Sequence, residues 1–110
     1  MDELSDPPRA RLEVGDALDG GTEMLVRLGG DLDVAGTTDI AAAVEELLAR
    51  RPQPVVFDLA GVDFCDSSGI ALLIRLTNHF GKVHVRAATP QVHRVIQALG
   101  LADWLGLEGA

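Results

Sequence analysis

The stretch Val55 to Ala71, VVFDLAGVDFCDSSGIA, holds the densest chemistry in the chain. A run of β-branched and aromatic residues leads to Asp66-Ser67-Ser68-Gly69, and an apolar helical pattern follows. A serine where a helix begins has its hydroxyl near backbone N–H groups without intrahelical partners, at the positive end of the helix dipole. One reading is structural: Asp66, Ser67 or Ser68 caps the helix, the commonest task of such residues. The other is that a serine in this turn accepts a phosphoryl group. The two are compatible, because a helix start tolerates an anion. Phosphorylation would add roughly −1.5 to −2 charges to a surface that already carries Asp66, with Asp33 as a candidate neighbour. The fold would survive while its docking face changed.

Other constellations are incomplete. A nucleophile elbow needs glycine two residues before the serine, but Cys65 precedes Asp66-Ser67 and Asp66 precedes Ser67-Ser68. His79, His84 and His93 lack the i, i+4 spacing of a helical metal pair, and no carboxylate completes a set, so no metal site is expected. Asp58 ends a buried strand as a receiver-domain phosphoryl acceptor would. The paired acids after a first strand and the lysine ending a later one are missing. Cys65 is the single cysteine, which excludes an intrachain disulfide and reads as buried filler rather than a reactive thiol. Asp31 and Asp33 are either a solvated loop or part of a partner surface. The chain therefore reads as a binding protein, not an enzyme, and no cofactor is implied.

Charge narrows the partners. Nine basic against 17 acidic residues leave a formal charge of −8, which argues against direct nucleic-acid binding and against an anionic membrane surface. A complementary basic face on another protein fits better. No stretch reaches the roughly 18 apolar residues of a membrane-spanning helix, and Met1 to Arg11 lacks a basic-then-apolar signal pattern. The cytoplasm is the expected compartment.

The elements that must position this turn follow from periodicity. Residues 1–10, with Pro7-Pro8, read as a flexible tail ahead of a single domain over 11–110. Arg11 to Leu18 and Glu23 to Leu28 read as strands joined by the turn signal Asp19-Gly20-Gly21. Gly29-Gly30 is expected to break the second strand. Ile40, Val44, Leu47 and Leu48 mark one face of a helix over Thr38 to Arg50, capped by Thr37 or Thr38 and ended by Pro52 and Pro54. Val55 to Leu59 reads as a central strand buried on both faces. Ser67 to Phe80 reads as a heavily buried helix closed by Gly81. Lys82 to Ala88 alternates as a strand. Thr89-Pro90 opens a further helix bearing Val92, Val95, Ile96 and Leu99, and Gly100 closes it. A short last helix over Leu101 to Leu107 is expected to lay Trp104 and Leu105 on the core. With few aromatics, the 47% apolar share must build an aliphatic core. This is an α/β chain with a mixed sheet of four or five strands and helices mainly on one face.

Taken in order, Gly30-Asp31-Leu32-Asp33, Val55-Val56-Phe57-Asp58-Leu59, Asp66-Ser67-Ser68-Gly69 and Thr89-Pro90 with Val92, Leu99 and Gly100 resemble the single-domain STAS proteins, the bacterial anti-sigma factor antagonists. The resemblance covers roughly residues 11–107. It implies a STAS-like fold and a partner switch. The antagonist binds an anti-sigma factor that is also an ATP-dependent serine kinase, and phosphorylation of Ser67, with Ser68 as neighbour and candidate cap, breaks that complex. A PP2C-type phosphatase restores it. ATP and Mg²⁺ belong to the kinase. The implied contact surface is Asp31, Asp33, Asp66, Ser67, Ser68, Gly69 and the exposed face of the following helix. Ala71 stands where many relatives have a second glycine. Other STAS proteins serve as scaffolds or accessory subunits in lipid- or anion-transport and signalling assemblies, without a phosphorylation cycle; that is the alternative.

Overall fold

The structure, a computed structural model, describes residues 7–15 and 21–109. Four strands, β1 (Ala10–Gly15), β2 (Met24–Leu32), β3 (Val55–Cys65) and β4 (Val83–Arg86), form one sheet in the order β1-β2-β3-β4. β1 runs antiparallel to β2, while β2–β3 and β3–β4 are parallel. The helices are α1 (Val34–Asp39), α2 (Ala41–Leu48), α3 (Ser67–Phe80) and α4 (Pro90–Ala98). This is the expected mixed four-stranded α/β architecture. Asp19 and Gly20 of the turn signal, and the last residues of the strand expected to reach Leu18, lie outside the described residues.

Period-two alternation sorts the sheet into two faces. Met24, Val26 and Leu28 of β2, Val55, Phe57 and Leu59 of β3, and Val85 of β4 are buried in one core with Leu73 and Leu76 of α3 and Ile96 of α4. The other face carries Arg11, Glu13, Arg27, Asp58 and Arg86 at paired positions. A half-charged sheet of this kind takes helices on its apolar face only.

Several elements differ from the sequence expectation. Gly29-Gly30 does not end β2. The strand passes through the pair with register shifts on both sides, and Gly30 sits at φ 82°, where a Cβ would run into the Arg9 carbonyl oxygen. The glycine makes a bulge rather than a break. Val55–Cys65 is correspondingly longer than the five-residue strand expected, and Asp58 lies within it, not at its end. The single helix over Thr38 to Arg50 is two, because Ile40 leaves helical geometry at φ −100°, ψ 9°. Asp33 caps the first of them, and the Thr37 and Thr38 hydroxyls instead donate back to carbonyl oxygens of Asp33 and Val34.

Residues 101–107 form turns and not a helix. Only five residues separate Gly100 from Gly106, too few to repay helix nucleation. Gly106, at φ 59°, redirects the chain into a parallel bridge between Leu107 and Val85. Leu105 is fully buried there, whereas Trp104 is 45% exposed and does not cover the core as expected. The segment before β1 is tied down at its end: Ala10 is already a buried strand residue, and the Arg9 carbonyl accepts the Asp31 N–H at 2.8 Å.

Candidate functional site

At the C-terminal edge of the parallel strands, β2 ends at Leu32 and β3 at its register partner Cys65. Each strand is followed by an aspartate and a helix: Asp33 then α1, Asp66 then α3. The Asp66 N–H donates to the Leu32 carbonyl at 3.3 Å, so the two helix starts are stitched side by side. From the other flank, the Gln91 amide at the start of α4 donates to the Cys65 carbonyl at 3.2 Å. The turn leading into α3 is thus held by groups from β2 and α4.

The capping question left open by the sequence is resolved by geometry. Asp66 is the cap: its backbone is extended and its Oδ1 accepts the Ser68 N–H at 2.8 Å. Ser67 is the first helical residue and exposed, and its hydroxyl has no hydrogen-bond partner among the described residues. Ser68 is half-buried and contributes its N–H to the cap rather than its hydroxyl. A serine relieved of capping, on the surface, at the positive end of a 14-residue helix, can accept a phosphoryl group without disturbing a bond the fold depends on.

Gly69 has a different part from the one its neighbours have. It is buried, and a Cβ there would lie 2.5 Å from Cys65 Sγ, 2.6 Å from the Leu32 carbonyl oxygen and 2.7 Å from Leu32 Cβ. The glycine lets α3 approach β2 and β3 closely, which brings Ser67 to the strand ends. Beyond it Ala71 and Arg75 are exposed while Ile70, Leu73 and Leu76 face inward. The Arg75 guanidinium reaches across to Glu45 of α2 at 2.8 Å.

Asp31 and Asp33 are not a bare solvated pair. Arg9 bridges them, with Nη2 3.2 Å from Asp31 and 2.6 Å from Asp33, while its backbone N–H donates to Asp39 at 2.7 Å. Asp33 also accepts the Gly36 N–H at 2.7 Å. The hydrogen bond from Arg9 and then the Gly36 N–H hold the Asp33 carboxyl below the usual aspartate range. Sequence reasoning missed Arg9 because Pro7-Pro8 marks its neighbourhood as tail. It also passed over two exposed apolar residues at this edge, Val34 (69% exposed) and Phe64 (44% exposed), whose types predict burial.

Elsewhere the titratable groups are dispersed. Cys65 is 1% exposed, and burial, with Asp66 adding to it, pushes its thiol up to about 11, so the thiolate is scarce at neutral pH. Asp58 is buried and takes two N–H groups of Arg86, at 3.0 and 3.3 Å, on one oxygen and the Ala60 N–H on the other. His79 lies 2.7 Å from the Arg50 carbonyl and His84 3.1 Å from Glu108. Among the described residues no cluster of three His, Cys, Asp or Glu side chains is placed to hold a metal, and no helix is long and apolar enough to cross a membrane.

A four-stranded mixed sheet with helices on one face and an aspartate-capped serine turn at its edge is the arrangement of STAS domains, and the chain belongs to the STAS domain family: the family model described as Mlab, STAS domain matches residues 18–108. The chain is similar to the anti-sigma F factor antagonist of Paenibacillus polymyxa, 31% identical over an 83-residue alignment that covers 71% of this chain and 71% of that protein. Its fold is similar to the crystal structure of an anti-sigma factor antagonist from Mycobacterium paratuberculosis, with a TM-score of 0.78 at 27% identity over 97% of this chain and 92% of that one. The antagonist SpoIIAA shares the fold in its unphosphorylated form, with a TM-score of 0.66 at 20% identity, covering 88% of this chain and 87% of that one. In its phosphorylated form the TM-score is 0.60 at 19% identity, with coverage of 88% and 90%.

Proposed function

We propose that this chain is an anti-sigma factor antagonist that binds an anti-sigma factor with serine-kinase activity and lets it go when Ser67 is phosphorylated. The observation that carries the reading is the division of labour in the turn: Asp66 satisfies the helix, and Ser67 is left exposed with an uncommitted hydroxyl. The kinase transfers the γ-phosphoryl group of its Mg-ATP to Ser67 Oγ, which loses its proton as the new P–O bond forms and ADP departs. A PP2C-type phosphatase reverses the modification by hydrolysis.

Magnitudes favour a change of partner over a change of fold. An anion in the first turn of a helix is worth about 0.3–1 kcal/mol in the fold's favour. The same charge set against a docked surface costs several kcal/mol, and a loss of about 3 kcal/mol weakens binding roughly 100-fold. Asp31, Asp33 and Asp66 frame the polar part of the contact surface. Val34 and Phe64 supply apolar anchors of the kind that dominate interfaces, and Gly69 acts from beneath by setting the height of α3.

The test uses the purified chain with its cognate anti-sigma factor and Mg-ATP. Intact mass should rise by one phosphate, lost in Ser67→Ala, and Ser67→Glu should bind the anti-sigma factor much more weakly than Ser67→Ala. Equal binding of the two variants would leave a constitutive accessory subunit in place of a switch.

A further inference from the structure

The sheet face turned away from the helices carries a row of charges in register across all four strands: Glu13, Arg27, Asp58 and Arg86. One contact in that row is closed, the Arg86–Asp58 ion pair at 3.0 Å. Asp58 also accepts the Ala60 N–H, so its oxygens are committed. Arg27 has no hydrogen bond or ion pair among the described residues.

The neighbouring row is Arg11, Gly29 and Gly61, again paired strand to strand. Two glycines side by side inside a sheet weaken it, since they contribute no cross-strand side-chain contact and favour the unfolded chain. Here they make a floor. A Cβ on Gly29 would overlap the Arg11 guanidinium, and one on Gly61 would lie 2.7 Å from its Nη2. The guanidinium rests over the backbone of both glycines, and its N–H groups are unpaired among the described residues. Arg11, Arg27, Asp58, Glu13 and Gly61 line one cleft of about 140 Å³.

We propose that this cleft is a binding site for one phosphate-type oxyanion, held between the guanidinium groups of Arg11 and Arg27. Arginine's planar fork matches the oxygens of such a group two at a time. The size limits the ligand: a cleft of about 140 Å³ is well below the roughly 300–1,000 Å³ of pockets that enclose larger small molecules. Charge distribution agrees. The chain carries −8 overall with nine basic residues, yet Arg11, Arg27 and Arg86 share this one face. Glu13, paired in register with Arg27 and lining the same cleft, is the opposing group and tempers the affinity. The site stands apart from the Ser67 turn and does not rest on the proposed switch.

Titration of the full chain with inorganic phosphate, and separately with N-acetylphosphoserine amide, is followed by the backbone amide resonances of Gly29 and Gly61. Saturable shifts are expected. Arg11→Gln and Arg27→Gln, both exposed polar replacements, should each weaken binding by on the order of tenfold. Gly61→Ala leaves every charge in place but lifts the Arg11 head from its floor, and should weaken binding as well. Glu13→Gln should tighten it. Tighter binding of the phosphoserine amide assigns the site to a protein-borne phosphoryl group, and tighter binding of inorganic phosphate to the free ion. Absence of saturable shifts, or shifts of equal strength in the Arg11→Gln/Arg27→Gln double variant, overturns the proposal.

Discussion

Replacing Gly69 by alanine sets two effects of known size against each other. In the interior of an exposed helix, Gly→Ala gains about 1 kcal/mol because alanine gives up less backbone freedom. At Gly69 the new methyl would meet Cys65 Sγ at 2.5 Å, the Leu32 carbonyl oxygen at 2.6 Å and Leu32 Cβ at 2.7 Å. None of these can swing away. Cys65 and Leu32 are at most 1% exposed, and the carbonyl is backbone that also accepts the Asp66 N–H. α3 must move outward, and overpacking costs about 1–3 kcal/mol. With three atoms under 3 Å, one of them backbone, the cost here belongs at about 2–3 kcal/mol, so the clash outweighs the propensity gain. A net loss of about 1–2 kcal/mol corresponds to a melting point lower by roughly 4–15 °C for a domain of this size. Calorimetry measures it, with Ala71→Gly as the control: at that exposed site on the same helix the propensity term acts alone, and a loss of about 1 kcal/mol is expected. Because α3 carries Ser67, the Gly69→Ala protein should also bind its partner less well. If Gly69→Ala melts at or above the wild-type temperature, α3 is not packed as tightly as described and the account of Gly69 fails.

Asp66→Ala should cost about 1 kcal/mol, the usual worth of an N-cap, measured as a lower urea midpoint, while Ser67→Ala leaves that midpoint unchanged because no hydrogen bond is lost. For Asp33, the folded carboxyl lies below its ordinary value, so its contribution to stability is present above about pH 4 and is lost as pH falls through the folded value. Acid titration of stability should accordingly show wild type ahead of Asp33→Asn at neutral pH and the two curves converging at the acid end. The Cys65 thiol, buried and raised to about 11, should react with a disulfide reagent at pH 8 only as fast as the protein opens, and denaturant should release the reaction; rapid stoichiometric labelling of the folded chain would contradict its burial.

Much of this protein was legible in its residues because the relevant signals are local. α3 could be read from Ser67 to Phe80 at both ends, since its apolar periodicity is strong and Gly81, at φ 80°, stops it by a conformation other residues adopt reluctantly. Thr89-Pro90 likewise announced α4. The serine turn stood out for the same reason, its residue types being those that a helix start selects. The segments misread were those whose conformation is decided at a distance. α1 has no periodic apolar face, and it forms because Asp33 caps it while buried Gly36 lets it sit against Asp31. The bulge at Gly30 answers to the Arg9 carbonyl just ahead of β1. Residues 101–107 are turned by Gly106 toward the edge of β4.

By itself, the sequence determined the α/β class, the order of the main elements, the aliphatic core and the serine turn as the candidate site, all of which follow from composition, periodicity and cap chemistry along a few neighbouring residues. The choice of Ser67 within that turn came from the family resemblance. Tertiary structure alone decided which group caps α3 and which hydroxyl is left free. It also decided that Arg9 bridges Asp31 and Asp33, that Gly69 is packing and not surface, and that Arg11 lies on a floor of two glycines. The physical reason is the same in each case: a hydrogen bond, an ion pair or a steric limit joins atoms by their separation in space, and residues 9 and 33, or 32 and 69, become neighbours only after the sheet has formed.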